Sequence, residues 1–419
     1  MNLSKNINYI GKVAIEGSPF REIDIVLSFS DKGVFFEFYG NFTPDVSYGI
    51  LTGILLGNGE FTLINSFQQS YKNGLYRFKA DYLIYGLKFK TRESLVFNRY
   101  RFILRDLSNW LNMRFWKTNF PKVIEMEESL YNQVVNIEAG VNLRISNNFE
   151  YKDDFTNYSL ELKGYSFIEV ISINKEKGFS FDYTFSFYVN FLKLLSLVSA
   201  RRYSIGEIFC IIDKPRSSNE KLIFDSFPVY RELNEIENSS IFSEIKFKFD
   251  EINEYLEPLF IEWNKREELK HLIDLNLTFC LNADNSRNSH FLNAFACLEG
   301  IDKHLNGMKD KARQRLNRYK SYIEEIYPKT SDVFIDNCLN TRNFFAHGKK
   351  NNTEYIFNNF ELLYAAKTLI NISRVLLLKE LGIPENLLND KFKAIATDLK
   401  DYMRSNKWFN EGLIEIPLI

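Results

Sequence analysis

The sequence predicts an α+β fold, in which an N-terminal antiparallel β-rich domain is followed by a C-terminal all-α helical bundle. From residue 9 to about residue 230, short runs of alternating apolar and polar residues recur, as expected for half-buried strands. Beyond a polar stretch at residues 232–243, apolar residues recur at helical spacing instead. With 419 residues, 45% of them hydrophobic, the chain is long enough for two or three domains with separate cores.

The β-rich half contains strand patterns separated by hairpin turn signals. Among these strands are Asp24–Phe29, Gly33–Tyr39, Glu60–Ile64 and Tyr76–Lys88. Turn signals such as Asn73-Gly74 supply residues that tolerate a positive φ. We therefore expect an antiparallel sheet or sandwich. One segment, residues 183–200, has helical spacing, and its predicted apolar side comprises Phe185, Tyr188, Val189, Leu192 and Leu195.

The second half is predicted to be a bundle of five or six helices. They are expected at about residues 249–281, 286–305, 309–327, 331–347, 355–381 and 385–406, with Gly and Pro signals between several of them. The predicted domains are therefore residues 1–240 and 241–419.

Composition excludes several classes of function. The chain has 53 Lys and Arg against 54 Asp and Glu, so no global basic field attracts nucleic acid, and any RNA site is a local patch. Four cysteines without a CxxC pair argue against a disulfide framework or zinc ribbon. The N-terminus is polar and no apolar run is long enough to span a membrane. We expect a cytoplasmic protein without a metal or cofactor.

The most informative string is Arg342-Asn343-x-x-x-His347-Gly348 at the end of a predicted helix. Asn343 and His347 are four residues apart and share one side of the helix, whereas Arg342 lies about 120° away and has to reach around it. These side chains suit RNA cleavage without a metal. A histidine transfers protons, an arginine binds phosphate, and an asparagine orients either group.

A structural interpretation of the same residues stays open at this point. Arg342 could form a salt bridge with Glu299 or Asp302, and His347 could cap the helix C-terminus. Composition and spacing alone do not distinguish the two interpretations.

The string resembles the RNxxxH motif of HEPN ribonucleases. The preceding helix, residues 291–305, resembles the companion helix of that fold, and Glu299 lies at the edge of its apolar stripe. This resemblance covers about residues 286–380. Residues 48–66 and 180–211 are loosely similar to the N-terminal domain of ApeA-type anti-phage proteins.

The resemblance implies a metal-independent endoribonuclease that leaves a 2′,3′-cyclic phosphate and a 5′-OH. Arg342, Asn343 and His347 match the catalytic motif, and Glu299 is carried over as a supporting position. ApeA-like proteins are associated with abortive infection, so the resemblance also implies an attack on host RNA such as tRNA. Since one histidine rarely serves as both acid and base, we expect a homodimer that brings two motifs together.

A basic segment near the motif is a candidate RNA-binding surface. Its predicted phosphate ligands are Lys311, Arg315, Arg318, Lys349 and Lys350. The alternative is a solvated helix face without a ligand. RNA binding through the cationic face would weaken steeply with salt.

Two other functions remain compatible with the sequence. The bundle could be a non-catalytic adaptor that only dimerises or binds RNA. Alternatively, the β-rich half could bind a carbohydrate or nucleotide while the bundle serves as a scaffold. Within the nuclease hypothesis, the β-rich half is a sensor or regulatory domain that a phage-derived trigger engages.

Overall fold

The computed structural model describes most of the chain. The described residues are 3–15, 22–40, 44–57, 59–104, 107–111, 116–119, 123–126, 132–138, 140–154, 159–173, 178–201, 203, 205–213, 224–231, 244–281, 286–307, 309–348 and 355–405. The chain divides into two compact units, residues 1–189 with 203–236, and residues 190–202 with 237–419.

The first unit is rich in antiparallel strands. They are β1 (Asn8–Ala14), β2 (Ile23–Ser30), β3 (Gly33–Tyr39), β4 (Ser47–Leu55), β5 (Gly59–Lys72), β6 (Leu75–Tyr85), β7 (Val96–Phe97), β8 (Arg99–Leu104), β9 (Trp116–Asn119), β10 (Val123–Met126), β11 (Asn132–Glu138), β12 (Val141–Asp154), β13 (Ser159–Ser172), β14 (Phe179–Ser180), β15 (Ile205–Asp213) and β16 (Phe224–Arg231). This confirms the predicted β-rich half. At the turn between β5 and β6, Asn73 and Gly74 both have positive φ, 52° and 82°, as the hairpin signal predicted.

Six of these strands close into a ring. β6 pairs with β3, and the ladder continues through β2, β1 and β4 to β5, which pairs with β6 again. Alternate side chains therefore point inward and form one core, in which Phe36 and Phe78 are fully buried with ring centroids 5.1 Å apart. The predicted sheet or sandwich is thus a small barrel in this region.

The sheet extends beyond the barrel through strands in the order β6-β16-β15-β8-β13-β12-β11. A helix, α2 (Phe181–Ser199), packs against one face of this extension, and the Tyr188 ring stacks on Phe102 with centroids 3.9 Å apart. The predicted apolar side of the helix is wrong at Val189, which is 48% exposed. Phe181 and Phe191 are buried in addition to Phe185 and Tyr188.

The second unit is helical, as predicted. A single-turn helix, α1 (Leu107–Trp110), belongs to the first unit, and the further helices are α3 (Phe249–Ile252), α4 (Leu256–Lys265), α5 (Glu267–Leu281), α6 (Arg287–Asn306), α7 (Ala312–Arg318), α8 (Lys320–Ile326), α9 (Ser331–His347), α10 (Asn359–Glu380) and α11 (Glu385–Ser405). The helix predicted over 309–327 is divided at Tyr319, and the one over 249–281 is divided near residues 253–255 and at Arg266. An α+β fold with a C-terminal helical bundle is therefore confirmed.

A buried ion pair lies inside the helical unit. The side chain of Arg374 on α10 is fully buried and its Nη1 lies 2.6 Å from Oε2 of Glu244. The same guanidinium donates hydrogen bonds to the Asn276 side chain and to the Ile245 carbonyl, at 3.2 Å and 3.1 Å. These contacts fasten the segment that precedes α3 to α10 and α5.

Within the described ranges, no helix is long and apolar enough to cross a membrane.

Candidate active site

The site lies at the C-terminal end of α9. Gly348 follows His347 with φ 64°, a left-handed conformation that glycine adopts without steric cost, and its N–H donates to the Phe344 carbonyl at 2.8 Å. The helix therefore ends directly after His347. His347 therefore lies on the last turn of α9, and it is exposed.

The inner side of α9 packs in the core and fixes the helix. Phe334, Ile335 and Cys338 are buried, and the buried Thr341 hydroxyl accepts a hydrogen bond from the Phe357 N–H at 3.0 Å. The other side carries the exposed Asn343 and His347, four residues apart. In the described part of the chain, the His347 side chain has neither a hydrogen bond nor an ion pair.

Arg342 connects this exposed side to the neighbouring helix. Its Nη1 donates to Oδ1 of Asn343 at 3.1 Å, so the guanidinium reaches around the helix toward Asn343. Its Nη2 lies 3.8 Å from Oε2 of Glu299 on α6, and its Cζ lies 5.8 Å from the Phe295 ring centroid. The side chain is 33% exposed, so solvent still reaches it. The structure thus brings Arg342, Asn343 and Glu299 together.

Glu299 belongs to a line of alternating charges, which we call the charge network. It comprises Arg342, Glu299, Arg315, Asp302, Arg318 and Asp310, in that order. Arg315 lies 3.5 Å from both Glu299 and Asp302, and Arg318 lies 2.6 Å from Asp302. The Tyr319 hydroxyl donates to Asp302 at 2.9 Å, and burial raises the pKa of this tyrosine. Tyr319 therefore stays protonated and keeps donating to Asp302.

The prediction that Arg315 lies on a solvent-exposed cationic face is wrong. Arg318 also departs from the prediction, because its guanidinium is paired with carboxylates. The Arg315 side chain is only 7% exposed, because it lies between two carboxylates rather than facing solvent. Arg318 contacts Asp302 and Asp310, so its guanidinium is engaged within the protein. Lys311 is exposed at the start of α7. Lys349 and Lys350 lie outside the described residues.

The roles of Asp302 and Tyr319 in this network were not predicted from the sequence. Both lie on predicted helices, but their pairing joins residues 16 or 17 positions apart in sequence. The spacing of charges along one helix carries no information about such a contact. The only available signal was that Asp302 is an acid one turn from Glu299, on the apolar side of α6.

Chemically, the last turns of α9 carry a side chain that can transfer protons, His347, and one that can bind phosphate, Arg342. His347 lies on the last helical turn and is exposed. Arg342 offers a guanidinium fork for a phosphate, and Asn343 orients it. In the described residues, no group of three or more His, Cys, Asp or Glu side chains is arranged to hold a metal ion.

Comparison with protein families identifies the class of protein. The family model described as Apea-like HEPN matches residues 265–387, which include Glu299 and the whole Arg342–His347 string. Residues 265–387 of the helical unit are therefore a HEPN domain. A second model, ApeA N-terminal domain 1, matches residues 8–263, which is more than half of the chain. The chain belongs to the ApeA family of HEPN-containing anti-phage defence proteins, as the resemblance predicted. No curated protein and no solved structure matches the chain.

The domain boundary at residues 240/241 stays a prediction. The compact units change at residues 236/237, and the two family models meet near residue 264.

Proposed function

We propose that this protein is a metal-independent endoribonuclease of abortive infection, which cleaves host RNA such as tRNA. HEPN domains are usually ribonucleases, and they typically dimerise and bind RNA. Membership of the family therefore supports an endoribonuclease activity in general. The observation that carries the proposal is the arrangement at the end of α9. There the guanidinium of Arg342 is held beside Asn343, one turn from an exposed His347.

In the proposed reaction, the 2′-oxygen of a ribose attacks the adjacent phosphorus while the bond from phosphorus to the 5′-oxygen breaks. One His347 takes the proton of the 2′-OH as general base. A second His347, from the partner copy of a homodimer, gives a proton to the leaving 5′-oxygen. Arg342 stabilises the negative charge that develops on the phosphate oxygens. The products are a 2′,3′-cyclic phosphate and a 5′-OH.

The proposal is tested by incubating the purified protein with total tRNA in excess EDTA and mapping the RNA ends. We expect cleavage at an undiminished rate, since every proton transfer is assigned to a side chain. The new ends should be cyclic phosphate and 5′-OH. Cleavage that EDTA abolishes and added magnesium restores, or that leaves 5′-phosphate ends, would reject this mechanism.

If the purified protein cleaves nothing, the same assay is repeated with extract from phage-infected cells. Activity that appears only with the extract indicates a restrained enzyme. Persistent inactivity, together with RNA binding or dimerisation, favours the alternative that the HEPN domain is a non-catalytic adaptor.

Glu299 is proposed as a positioning residue that acts through Arg342. Glu299→Gln retains the size of the side chain but removes the charge that attracts Arg342 and Arg315. We expect kcat to fall about tenfold to a hundredfold, because a displaced catalytic group costs rate, while KM changes little. Steady-state cleavage of a defined RNA measures both constants.

The matched control is Glu380→Gln. Glu380 is also a partly buried glutamate in the helical unit, and it pairs with Arg266 at 3.2 Å. This variant should cleave like the wild type. A Glu299→Gln protein with unchanged kcat would show that Glu299 has no positioning role.

The β-rich domain is proposed as the sensor that a phage-derived trigger engages. A toxic nuclease has to be restrained until infection, and this domain is the available part of the chain on which a trigger acts.

A further inference from the structure

We infer that the outer face of the barrel, at β1, β2 and β4, is an interface through which two copies of this chain associate. Four large aliphatic side chains on this face are exposed to solvent: Ile10 by 59%, Val26 by 39%, Ile54 by 44% and Leu56 by 62%. We call them the barrel patch. The patch lies in the first compact unit, and its role is independent of the proposed ribonuclease activity.

The register of the strands makes these four side chains neighbours. Ile10 on β1 is the direct cross-strand partner of Val26 on β2. On the other side of β1, the N–H of Leu56 donates to the Ile10 carbonyl at 2.9 Å, so Leu56 lies beside Ile10. Ile54 lies two residues before Leu56 and therefore on the same face. Leu55, between them, is buried in the barrel core, so the barrel patch faces away from that core.

The backbone beneath the barrel patch is closely packed. A side chain at Gly53 would collide with the Lys12 carbonyl oxygen and the Phe61 ring, and a Cβ at Gly11 would lie 2.7 Å from the Ile54 carbonyl oxygen. The two glycines thus allow β1 and β4 to approach each other. Because each strand of the ring pairs with two neighbours, the patch is formed before any partner binds, and association costs little ordering of the backbone.

The charges around the barrel patch favour a protein as the partner. Among the described residues beside it are Lys12, Asp24, Glu37 and Glu60, and Arg77 pairs with Glu37 at 3.3 Å. These side chains are two cations and three anions. Nucleic acid and anionic lipid surfaces are bound through a surplus of Lys and Arg. An apolar centre within a rim of both signs is instead typical of a protein–protein interface.

One cross-strand row makes this face complementary to itself. Ile54 on β4 lies between Lys12 on β1 and Glu60 on β5, so a cation and an anion flank an apolar side chain. With a two-fold axis along β4 in the plane of the interface, Ile54 meets the partner's Ile54. The same rotation places each Lys12 opposite the partner's Glu60. A second copy therefore offers an apolar contact and two opposite-charge contacts at once.

Both charged side chains can make this contact. Lys12 lies 3.9 Å from Asp24, and both of these side chains are more than half exposed, so the pair is weak and easily rearranged. Glu60 is exposed, and its side chain has no ion pair in the described part of the chain. Removal of the barrel patch of each copy from water drives the association, whereas the charge pairs mainly fix its orientation.

The test is disulfide cross-linking of the full-length variant Ile54→Cys under mild oxidation with copper phenanthroline. We expect a covalent dimer that dithiothreitol reverses, because Ile54 meets its own copy across the axis. The described native cysteines, Cys210, Cys297 and Cys338, are all buried. The matched control is Ile173→Cys. Ile173 is 51% exposed in the same unit but follows β13, outside the barrel, so this variant should stay monomeric on a non-reducing gel.

A charge exchange in the Ile54→Cys protein tests the proposed pairing. Lys12→Glu alone and Glu60→Lys alone should each slow cross-linking at least about tenfold, because like charges then face each other across the axis. The two substitutions combined should restore the original rate. Circular dichroism checks that each variant is folded. Equal cross-linking of Ile54→Cys and Ile173→Cys, or a combined variant as slow as the single ones, would overturn the inference. Association through the HEPN domain alone predicts neither the difference nor the restoration.

Discussion

Replacement of His347 by alanine is expected to lower the rate of RNA cleavage at least about a thousandfold. In the proposed mechanism this imidazole serves as base in one copy and as acid in the other, and each role contributes about 10²- to 10⁴-fold. The substitution removes both at once from a homodimer. The rate is measured with purified protein and a defined RNA under single-turnover conditions. The fold should be unchanged, because His347 is exposed and its side chain has no hydrogen bond or ion pair with the residues that the structure describes.

His304→Ala provides the control for this experiment. His304 is likewise an exposed histidine in the last turn of its helix, α6. Its replacement should leave cleavage unchanged. If wild type and His347→Ala cleave RNA at the same rate with the same ends, the proposed active site is wrong. If His347→Ala dimerises and binds RNA like an equally inactive wild type, the adaptor function is favoured.

Replacement of Arg374 by methionine is expected to destabilise the helical unit by about 3–5 kcal/mol. Methionine approximates the length of the arginine side chain but leaves Glu244 buried without its 2.6 Å partner. The Asn276 side chain and the Ile245 carbonyl also lose their donor. Urea denaturation followed by circular dichroism at the helical band measures the change in the free energy of unfolding.

Two further variants distinguish the effect of the buried charge from the effect of lost packing. Arg266→Met removes a solvent-accessible pair with Glu380 and should cost less than about 1 kcal/mol. Combining Arg374→Met with Glu244→Leu should recover most of the loss, because it also removes the buried carboxylate that Arg374 contacts. A double variant as unstable as Arg374→Met alone would show that packing, rather than the buried charge, determines the cost.

The position of the candidate site could be predicted because its signals are local. His347 is followed by Gly348, the usual residue for a helix end, and the spacing of Asn343 and His347 fixes their shared side. Whether the Arg342 side chain reaches around α9 toward Asn343 and His347 could not be predicted in this way. Its contacts with Asn343 and Glu299 depend on a rotamer and on how α6 packs against α9, and neither is encoded in the spacing of one helix.

The same limit applies to the sheet. Alternating patterns identified individual strands such as β2 and β3, and the Asn73-Gly74 signal identified a hairpin. The barrel closes, however, because β5 pairs with β6 as well as with β4, and β6 pairs with β3 and β16 as well as with β5. The pattern within one strand does not reveal these additional partners. The ion pairs of Glu169 with Arg101 and Arg144 were missed for a related reason, because these residues meet only through the register of three strands.

The charge network also has a consequence for how RNA would reach the proposed site. It contains three guanidinium groups and three carboxylates, so its members cancel and produce little field beyond their own contacts. Long-range attraction, which raises the rate of diffusional encounter with nucleic acid, requires a surplus of one sign. The network itself therefore contributes little to electrostatic steering of RNA. In the proposed nuclease, selection of a substrate by this surface would then rest on short-range fit after collision.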